Sequence, residues 1–247
     1  MSKLTACVIA KNEEKNLKNC LNSLNFVDEI VLIDNMSVDK TNEIAKECKV
    51  KIYKYTQAET DFSELRNYAQ SLASNDWILF LDADETISKK LSVEIQQTIQ
   101  KSIYELIFIK RIDYFLKKAI KNGEVKAAAH KGIIRLYRKG FGRWIGKVHE
   151  VFLPYRPARS TTLKNYITHY PHQSVLSFLI KINAYSTIIA KNNKKKYYGS
   201  IFSILFFPMV KFLYTFFWLS GYKDRESGFI YSFMMSFHSF LARSKKL

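Results

Sequence analysis

Three carboxylates follow an unbroken apolar run in the first half of the chain. The run extends from Trp77 to Leu81, and Asp82, Asp84 and Glu85 come directly after it. Its length and composition predict a strand that is buried on both faces of a parallel sheet. Because side chains alternate along a strand, Asp82 and Asp84 should share one face at its carboxyl end. Open α/β sheets bind their ligands at that end.

The carboxylates indicate a divalent cation. Clustered carboxylates repel one another unless a cation lies among them, and their hard oxygen atoms suit Mg²⁺ or Mn²⁺. For an isolated Asp-x-Asp, a solvated acidic turn would be the better interpretation. The position directly after a buried strand favours the cation site here, with Asp82 and Asp84 as its ligands.

Strands and helices alternate four times up to this point. Strands are predicted at residues 4–10, 29–34 and 50–55, with helices between them, before the strand that begins at Trp77. This alternation predicts an α/β fold with a parallel sheet, right-handed crossovers and helices on both faces. Shorter strands at 104–111, 132–137, 148–153 and 162–169 make the second half of the sheet mixed. The sequence contains neither G-x-G-x-x-G nor a Walker lysine, which argues against a dinucleotide or P-loop site.

Further polar residues follow the other strands of this predicted sheet. Lys11 and Glu13 come after the first strand, and Asp34 ends the second. A nucleotide lying across these strand ends would find an acid for a base N–H or ribose hydroxyl and a cation for its diphosphate. Arg66, on the helix before Trp77, could add a guanidinium for the phosphates. Helix capping by Asp34 and a solvated helix face for Arg66 are the structural alternatives.

Charge is unevenly distributed along the 247 residues. The net charge is +17, but residues 1–100 hold 12 Lys/Arg against 16 Asp/Glu, so the remainder carries +21. Such a basic segment suits nucleic acid, acidic lipid head groups or phosphorylated substrates. The aromatic side chains lie in apolar blocks and are not interleaved with Lys and Arg, which argues against nucleic acid.

The cysteines and the amino terminus predict a chain in a reducing compartment. Cys7, Cys20 and Cys48 fall on apolar faces and lack C-x-x-C spacing, so buried free thiols are expected and a zinc site is not. The sequence leads directly into a strand, which predicts no signal peptide. With 47% hydrophobic residues, we expect one catalytic domain over residues 1–172 and a basic, hydrophobic helical region over 173–247.

Four motifs occur in order along the first 85 residues. They are VIAKNEE at 8–14, IDNMSVDKT at 33–41, FSELRNYA at 62–69 and FLDADE at 80–85. In this order they resemble glycosyltransferase family 2, and they most resemble the bacterial branch that adds a sugar to the lipopolysaccharide inner core as a β-1,4-glucosyltransferase. The resemblance implies a GT-A fold, a nucleotide-sugar donor such as a UDP-hexose, a divalent cation and inversion at the anomeric carbon.

The resemblance also implies roles for individual residues. Asp34 would contact the nucleobase, Arg66 and Asp82 the nucleotide, and Asp84 the metal. The chain has Asn35-Met36 where the family usually has Thr-Gly or Asp-Gly. This departure affects the expected turn geometry more than the chemistry.

A second group of candidates belongs to the acceptor side. The family carries a Val-His-Glu where this chain has residues 148–150, so Glu150 is our candidate general base, with Asp113 second. His149 could ligate the metal or orient Glu150, and His169 is a weaker candidate for a metal or phosphate contact. Isolated residues of these types are more often structural.

An anionic acceptor or the donor phosphates would also need cationic or aromatic contacts. Arg135 and Arg138 leave one predicted strand and could bind such a group, although a solvated edge strand would look the same. Trp144, in a glycine-punctuated loop, could stack on a sugar or simply pack.

The carboxyl-terminal region predicts a membrane association. Residues 200–219 are mostly apolar and long enough to span a bilayer, but they contain Pro208 and Lys211. A charged turn and a second apolar helix at 228–242 follow, and basic residues flank the pair. This pattern favours a peripheral or monotopic anchor on an anionic leaflet over a span or a soluble core hairpin.

Together these features predict an enzyme that moves a hexose, with glucose expected, to a lipid-linked glycan such as the lipopolysaccharide inner core. It would work at the cytoplasmic face of the bacterial inner membrane. Transfer to a polyprenyl phosphate or to a capsular or exopolysaccharide intermediate is an alternative. A non-catalytic basic membrane-binding protein is another, against which Asp82, Asp84 and Glu150 argue.

Overall fold

The chain forms two compact units. A computed structural model describes residues 2–57, 61–101, 103–146, 150–172, 174–192 and 199–247. The first unit comprises Met1–Arg111 and Lys131–His169, and the second comprises Ile112–His130 and Tyr170–Leu247. The boundary that the sequence predicts at residue 172 lies close to the change of unit after His169. The sequence did not predict that residues 112–130 belong to the second unit.

The first unit is built on a mixed sheet with helices, as predicted. Its strands lie in the order β3-β2-β1-β4-β8-β6-β11-β5, and β6 and β11 each end in the second unit. The parallel part is β1 (Leu4–Ala10), β2 (Glu29–Asp34), β3 (Lys51–Lys54) and β4 (Trp77–Asp82). The other strands of this sheet are β5 (Glu85–Ile87), β6 (Leu106–Phe115), β8 (Ile133–Arg138) and β11 (Ser160–His172). In the second unit, β7 (Lys118–Ile120) pairs with the end of β6. Two further strands, β9 (Gly142–Ile145) and β10 (Val151–Pro154), pair with each other.

In the first unit, helices connect consecutive parallel strands: these are α1 (Leu17–Asn22), α2 (Thr41–Glu47) and α3 (Phe62–Leu72). A further helix, α4 (Lys89–Lys101), follows β5. Asp61 begins α3, because its carboxylate accepts hydrogen bonds from the backbone N–H groups of Ser63 and Glu64. This cap fixes where Arg66 leaves the helix.

β4 is the centre of the first unit. Its residues alternate between two apolar clusters, with Trp77, Leu79 and Leu81 in one and Ile78 and Phe80 in the other. All five are fully buried, as the unbroken apolar run predicts.

Strand register brings the predicted polar residues to one edge. Ala10 pairs with Asp34 and Ile9 pairs with Asp82, so β1, β2 and β4 end together. The strand β5, which the sequence analysis did not predict, begins at Glu85 and turns the chain back into the sheet. Glu85 is thereby fully buried, although it sits in what the sequence presents as a polar turn.

The second unit contains β7 and four helices. These are α5 (Lys126–His130), α6 (Val175–Asn192), α7 (Ile201–Leu213) and α8 (Arg225–Ser244). α7 continues as a π-helix over Tyr214–Trp218, and short 3₁₀ helices cover Gly123–Val125 and Gly221–Asp224. The unit packs around Phe115, Ile120, Val125, Phe178, Ile182, Tyr231 and Met234.

Residues 201–218 form one helix that is long and apolar enough to cross a membrane. Only 22% of this window is buried by the rest of the protein. Ser236 donates a hydrogen bond to the carbonyl oxygen of Pro208, which ties α8 to the middle of α7.

Replacing Gly142 with alanine should destabilise the first unit. A β-carbon there would lie 2.5 Å from the carbonyl oxygen of Leu153 and 2.6 Å from the ring of Phe152. We expect Gly142→Ala to lower the free energy of unfolding by about 2 kcal/mol, because the strand pair must move apart. Urea denaturation checks this. Arg143→Ala, at the exposed next position, is the control and should change stability by less than about 0.5 kcal/mol. Equal stability of the two variants would contradict the close approach of Gly142 to Phe152 and Leu153.

Candidate active site

Two arginines hold the carboxylate of Asp82. Arg66 Nη2 lies 3.2 Å from Asp82 Oδ1, and Arg135 Nη2 lies 2.6 Å from Asp82 Oδ2. Arg66 comes from α3 and Arg135 from β8, so elements on either side of β4 meet at its carboxyl end. The Asp82 side chain is 31% exposed, whereas both arginines are almost completely buried.

A second carboxylate shares the same guanidinium. Arg135 Nη2 lies 2.7 Å from Oε1 of Glu85, and the guanidinium of Arg111 lies 3.5 Å from that oxygen. The other oxygen, Oε2, accepts a hydrogen bond of 3.0 Å from the backbone N–H of Asp82. Glu85 therefore fixes both the arginine and the turn that carries Asp82.

Arg66 joins this cluster to Glu150. Its Nε donates a hydrogen bond of 2.7 Å to Glu150 Oε1, across 84 residues of sequence. Its guanidinium also lies over the rings of Trp144, at 4.9 Å, and Phe80, at 5.3 Å. Its Nη1 is buried, and no described residue accepts a hydrogen bond from it. A buried guanidinium N–H group that lacks an acceptor can donate a hydrogen bond to an anionic oxygen of a ligand.

The arginines keep Asp82 ionised. Burial would raise the pKa of its carboxyl, but the charges of Arg135 and then Arg66, with a hydrogen bond from Arg135, hold that pKa well below its ordinary value. Burial likewise opposes the charge of Arg135, but Asp82 and Glu85 overcome it and raise the pKa of Arg135. The cluster therefore keeps fixed charges of both signs at the strand end.

Asp84 lies beside a histidine from another strand. Its Oδ1 is 3.4 Å from Nε2 of His169, in β11, and both side chains are about nine-tenths buried. The described residues contain no group of three His, Cys, Asp or Glu side chains placed to hold a metal. Mg²⁺ and Mn²⁺ bound with a nucleotide need only one or two protein ligands, because phosphates and water complete the shell. Asp84 and His169 fit such a cation.

Asp34 organises the turn after β2. Its Oδ1 accepts a hydrogen bond from the backbone N–H of Ser37, at 3.0 Å, and its Oδ2 accepts one from the side-chain amide of Asn42. Met36 occupies the left-handed region with φ of 57°, where the family resemblance led us to expect glycine. The turn thus forms with Asn35-Met36, and Asp34 braces it. Asp34 does not cap the following helix α2, whose N-cap residue is Lys40.

The residues after β1 have different surroundings. Lys11 is exposed at the strand end. Glu13 is half-buried, and its carboxylate accepts a hydrogen bond of 2.7 Å from Asn16 at the start of α1, while its backbone N–H donates to Thr41 Oγ1. Both lie at the edge where β1, β2 and β4 end, and Glu13 also joins α1 to α2.

Two predicted contacts do not join the cluster. Arg138 pairs with Trp77 across β8 and β4, at the opposite end of β4 from Asp82, and its guanidinium lies 5.0 Å from that indole. Trp144 is only 6% exposed, and its indole N–H donates to the hydroxyl of Tyr137. Arg138 is three residues from Arg135 on an alternating strand, so it has different surroundings. Trp144 packs in the core beneath Arg66, which is the second of the two roles that the sequence left open.

The two other candidates are Asp113, which lies in the second unit, and His149, which the structure does not describe. Asp113 belongs to the second unit, where it is buried and pairs with Ile120 across β6 and β7. His149, the proposed metal ligand, lies outside the described residues, so His169 is the histidine that the structure places beside Asp84.

Sequence reasoning missed Arg111 and the role of Glu85. Arg111 lies in β6 beside other charged residues, and nothing in its spacing distinguishes it. Glu85 was recognised only as the third acid of a turn. The one sequence feature that indicates its burial is the apolar residue two positions later, which allows a short strand to begin at Glu85.

Comparison with known proteins identifies relatives of this chain. Residues 5–139 match the family described as glycosyl transferase family 2. An uncharacterized glycosyltransferase of Rickettsia typhi is 28% identical over 258 aligned positions, covering 99% of this chain and 87% of that protein. The prophage-derived glycosyltransferase SunS of Bacillus subtilis is 36% identical over 152 positions, covering 60% of this chain and 34% of SunS.

Solved structures show the same fold. TarS of S. aureus, residues 1–349 in complex with UDP-GlcNAc, superposes with a TM-score of 0.53 over 96% of this chain and 81% of that one, at 14% identity. Its complex with UDP gives a TM-score of 0.54 at 15% identity, over 98% of this chain and 89% of that one. The shared fold is the mixed sheet with helices described above.

Arg135 and Arg138 should differ sharply in their effect on stability. Arg135→Gln leaves Asp82 and Glu85 without their shared cation, and we expect it to lower the free energy of unfolding by about 3 to 5 kcal/mol at pH 7. Arg138→Gln removes a contact with an indole ring and should cost less than about 1 kcal/mol. Urea denaturation of both variants gives the comparison.

The double variant Arg135→Gln with Glu85→Gln tests the cause. Removing the buried charge of Glu85 should restore part of the loss, because an unpaired buried carboxylate is the main penalty. If the stability loss of the double variant equals the sum of the losses of the two single variants, the guanidinium of Arg135 does not stabilise the cluster by pairing with Glu85.

Proposed function

The chain belongs to glycosyltransferase family 2, and we propose that it transfers a hexose from a UDP-sugar, with inversion, to a lipid-linked glycan at a membrane surface. The observation that carries this proposal is the end of β4, where Asp84 lies beside His169 and Asp82 is held between Arg66 and Arg135. This arrangement combines two ligands for a divalent cation with a buried, partly unpartnered guanidinium. A diphosphate linked to a sugar requires both.

The donor would lie across the ends of β1, β2 and β4. Asp34 and the exposed Lys11 lie where a uridine would be held, and Arg66 offers its Nη1 to a phosphate oxygen. The TarS structures with the same fold contain UDP-GlcNAc or UDP, which supports UDP as the nucleotide. Glucose is the expected sugar because of the resemblance to the β-1,4-glucosyltransferase branch.

Asp84 and His169 would hold Mg²⁺ or Mn²⁺ together with the donor diphosphate. When bound, such a cation neutralises the charge that develops on the departing UDP. The protein's own contribution is to fix both ligands. Asp84 is carried by the turn that Glu85 anchors, and His169 is carried by β11, which pairs with β5 opposite that turn.

Glu150 is the proposed general base. In a single displacement, the acceptor oxygen bonds to the anomeric carbon, the bond from that carbon to the diphosphate oxygen breaks, and UDP leaves with the electron pair. The acceptor proton passes to Glu150. Arg66 holds one oxygen of this carboxylate at 2.7 Å, which orients it. The same guanidinium therefore positions the base and contacts the donor side of the site.

The second unit supports a lipid-linked acceptor. Its long apolar helix is mostly unburied, and basic residues exceed acidic ones in this part of the chain. Because nucleotide sugars are cytoplasmic and both helix flanks are basic, we place the protein at the cytoplasmic face of the bacterial inner membrane. The lipopolysaccharide inner core is the proposed acceptor. A polyprenyl phosphate would use the same site and is the alternative.

Metal-dependent UDP binding tests the donor half of the proposal. Calorimetric titration of UDP should show binding that is at least tenfold tighter with Mn²⁺, because a cation held by Asp84 and His169 would supply positive charge for the diphosphate. Asp84→Ala should abolish the Mn²⁺ effect and His169→Gln should weaken it, whereas Asp76→Ala, an exposed acid at the other end of β4, should leave it unchanged. Equal UDP affinity with and without Mn²⁺ would overturn the metal assignment.

Glu150→Gln should separate binding from chemistry. The amide keeps the shape of the side chain but cannot take a proton, so we expect kcat to fall by roughly 10²- to 10⁴-fold. UDP affinity with Mn²⁺ should change less than about threefold, since the proposed metal ligands remain. Transfer to a lipid acceptor and calorimetry on the same preparation give the two values. A normal kcat would remove Glu150 from the reaction.

A further inference from the structure

A cavity of about 380 Å³ lies within the second unit, between α7 with its π-helical extension and α8. Its size falls within the range of small-molecule sites. Its wall combines apolar side chains with two cations, and the residues that matter below are Phe207, Val210, Lys211, Tyr214, Ser239 and Arg243. None of them takes part in the reaction proposed above.

Arg243 is held rigidly in this wall. Its Nε donates a hydrogen bond of 3.1 Å to Ser203 Oγ, and its Nη1 donates one of 3.2 Å to the carbonyl oxygen of Ser239. The guanidinium lies 4.8 Å from the centre of the Phe207 ring. Ser203 and Ser239 are both buried. A planar guanidinium fixed before a ligand arrives loses little entropy on binding a phosphate.

A second cation lines the same cavity. Lys211 pairs with Glu124 at 3.1 Å, and its side chain is 29% exposed. The positive charges of Lys211 and Arg243 and the negative charge of Glu124 give the cavity wall a net charge of +1. A lipid phosphodiester, which carries one negative charge, matches that charge.

The apolar part of the wall is continuous with the exposed face of the helix. Phe207, Val210 and Tyr214 line the cavity, yet they are 46%, 38% and 50% exposed. Leu213 and Phe217, next to them along the helix, are also about half exposed. A ligand with a charged end and a long apolar end would bury both.

We propose that this cavity binds one molecule of an anionic phospholipid, with its phosphate on Arg243 and an acyl chain along the exposed face of α7. The proposal rests on the membrane association proposed above and makes it specific. A helix held on a surface by scattered charges would need no arginine positioned by two serine residues beside a cavity. Bound lipid would fix the depth and rotation of α7 at the membrane.

Native mass spectrometry of the full chain in a neutral detergent tests the site. Phosphatidylglycerol should bind as a single molecule at least tenfold more tightly than phosphatidylcholine of the same chains. Arg243→Gln should reduce that affinity at least tenfold. Lys246→Gln, which removes an equal charge from an exposed residue three positions away, should leave it unchanged. Inorganic phosphate at millimolar concentration should not displace the lipid.

Several outcomes would overturn the proposal. These are equal affinity for the two lipids, an equal loss in Arg243→Gln and Lys246→Gln, or full displacement by inorganic phosphate, which would indicate a simple anion site. If Arg243→Gln does not fold, Arg243→Lys and Val210→Asp replace it, and both should weaken phosphatidylglycerol binding. UDP binding with Mn²⁺ on the same samples should persist in every variant, so that a failed lipid site is distinguished from a failed donor site.

Discussion

The site depends on one guanidinium shared by two carboxylates. Arg135 binds Asp82 and Glu85 within 2.7 Å of each, at the end of a strand that the core buries completely. The charges of Arg135 and Arg66 hold the pKa of Asp82 well below its ordinary value, although burial opposes this. With the arginine present, Glu85 anchors the turn between β4 and β5, and Asp84 is fixed on that turn. Arg66 extends the same network to Glu150. The groups that we propose for the donor and acceptor sides are thus parts of one electrostatic cluster.

Much of the first unit follows from short-range patterns in the sequence. The apolar run at Trp77–Leu81 predicts the central strand, and strand alternation predicts which ends meet, because parallel strands with helical crossovers must end at one edge. The same reasoning predicts Asp34 and Asp82 at that edge. The partners of these residues were not predictable in the same way. Glu150 meets Arg66 across 84 residues, and His169 meets Asp84 through a pairing of β11 with β5 that no local pattern encodes.

The misplaced candidates show where pattern reasoning fails. Arg135 and Arg138 look alike in sequence, but a spacing of three on a strand sends them to different surroundings, one to the acids and one to Trp77. The sequence left open whether Trp144 stacks on a sugar or packs, and its indole is buried against Phe80 and Phe152. Residues 112–130 join the second unit because Asp224 accepts hydrogen bonds from the backbone of Lys121 and Asn122, about a hundred residues away. Such long-range contacts decide domain membership and leave no signature in composition.

The central claim is that the end of β4 holds a divalent cation and a nucleotide diphosphate together. Pulsed electron–nuclear double resonance of Mn²⁺ added to the protein with UDP tests it most directly. The account predicts a phosphorus coupling from the UDP and a nitrogen coupling from His169 on the same ion, with the nitrogen coupling lost in His169→Gln. An ion that couples to phosphorus but not to nitrogen would remove His169 from the metal site. An ion with neither coupling would contradict the account of the site.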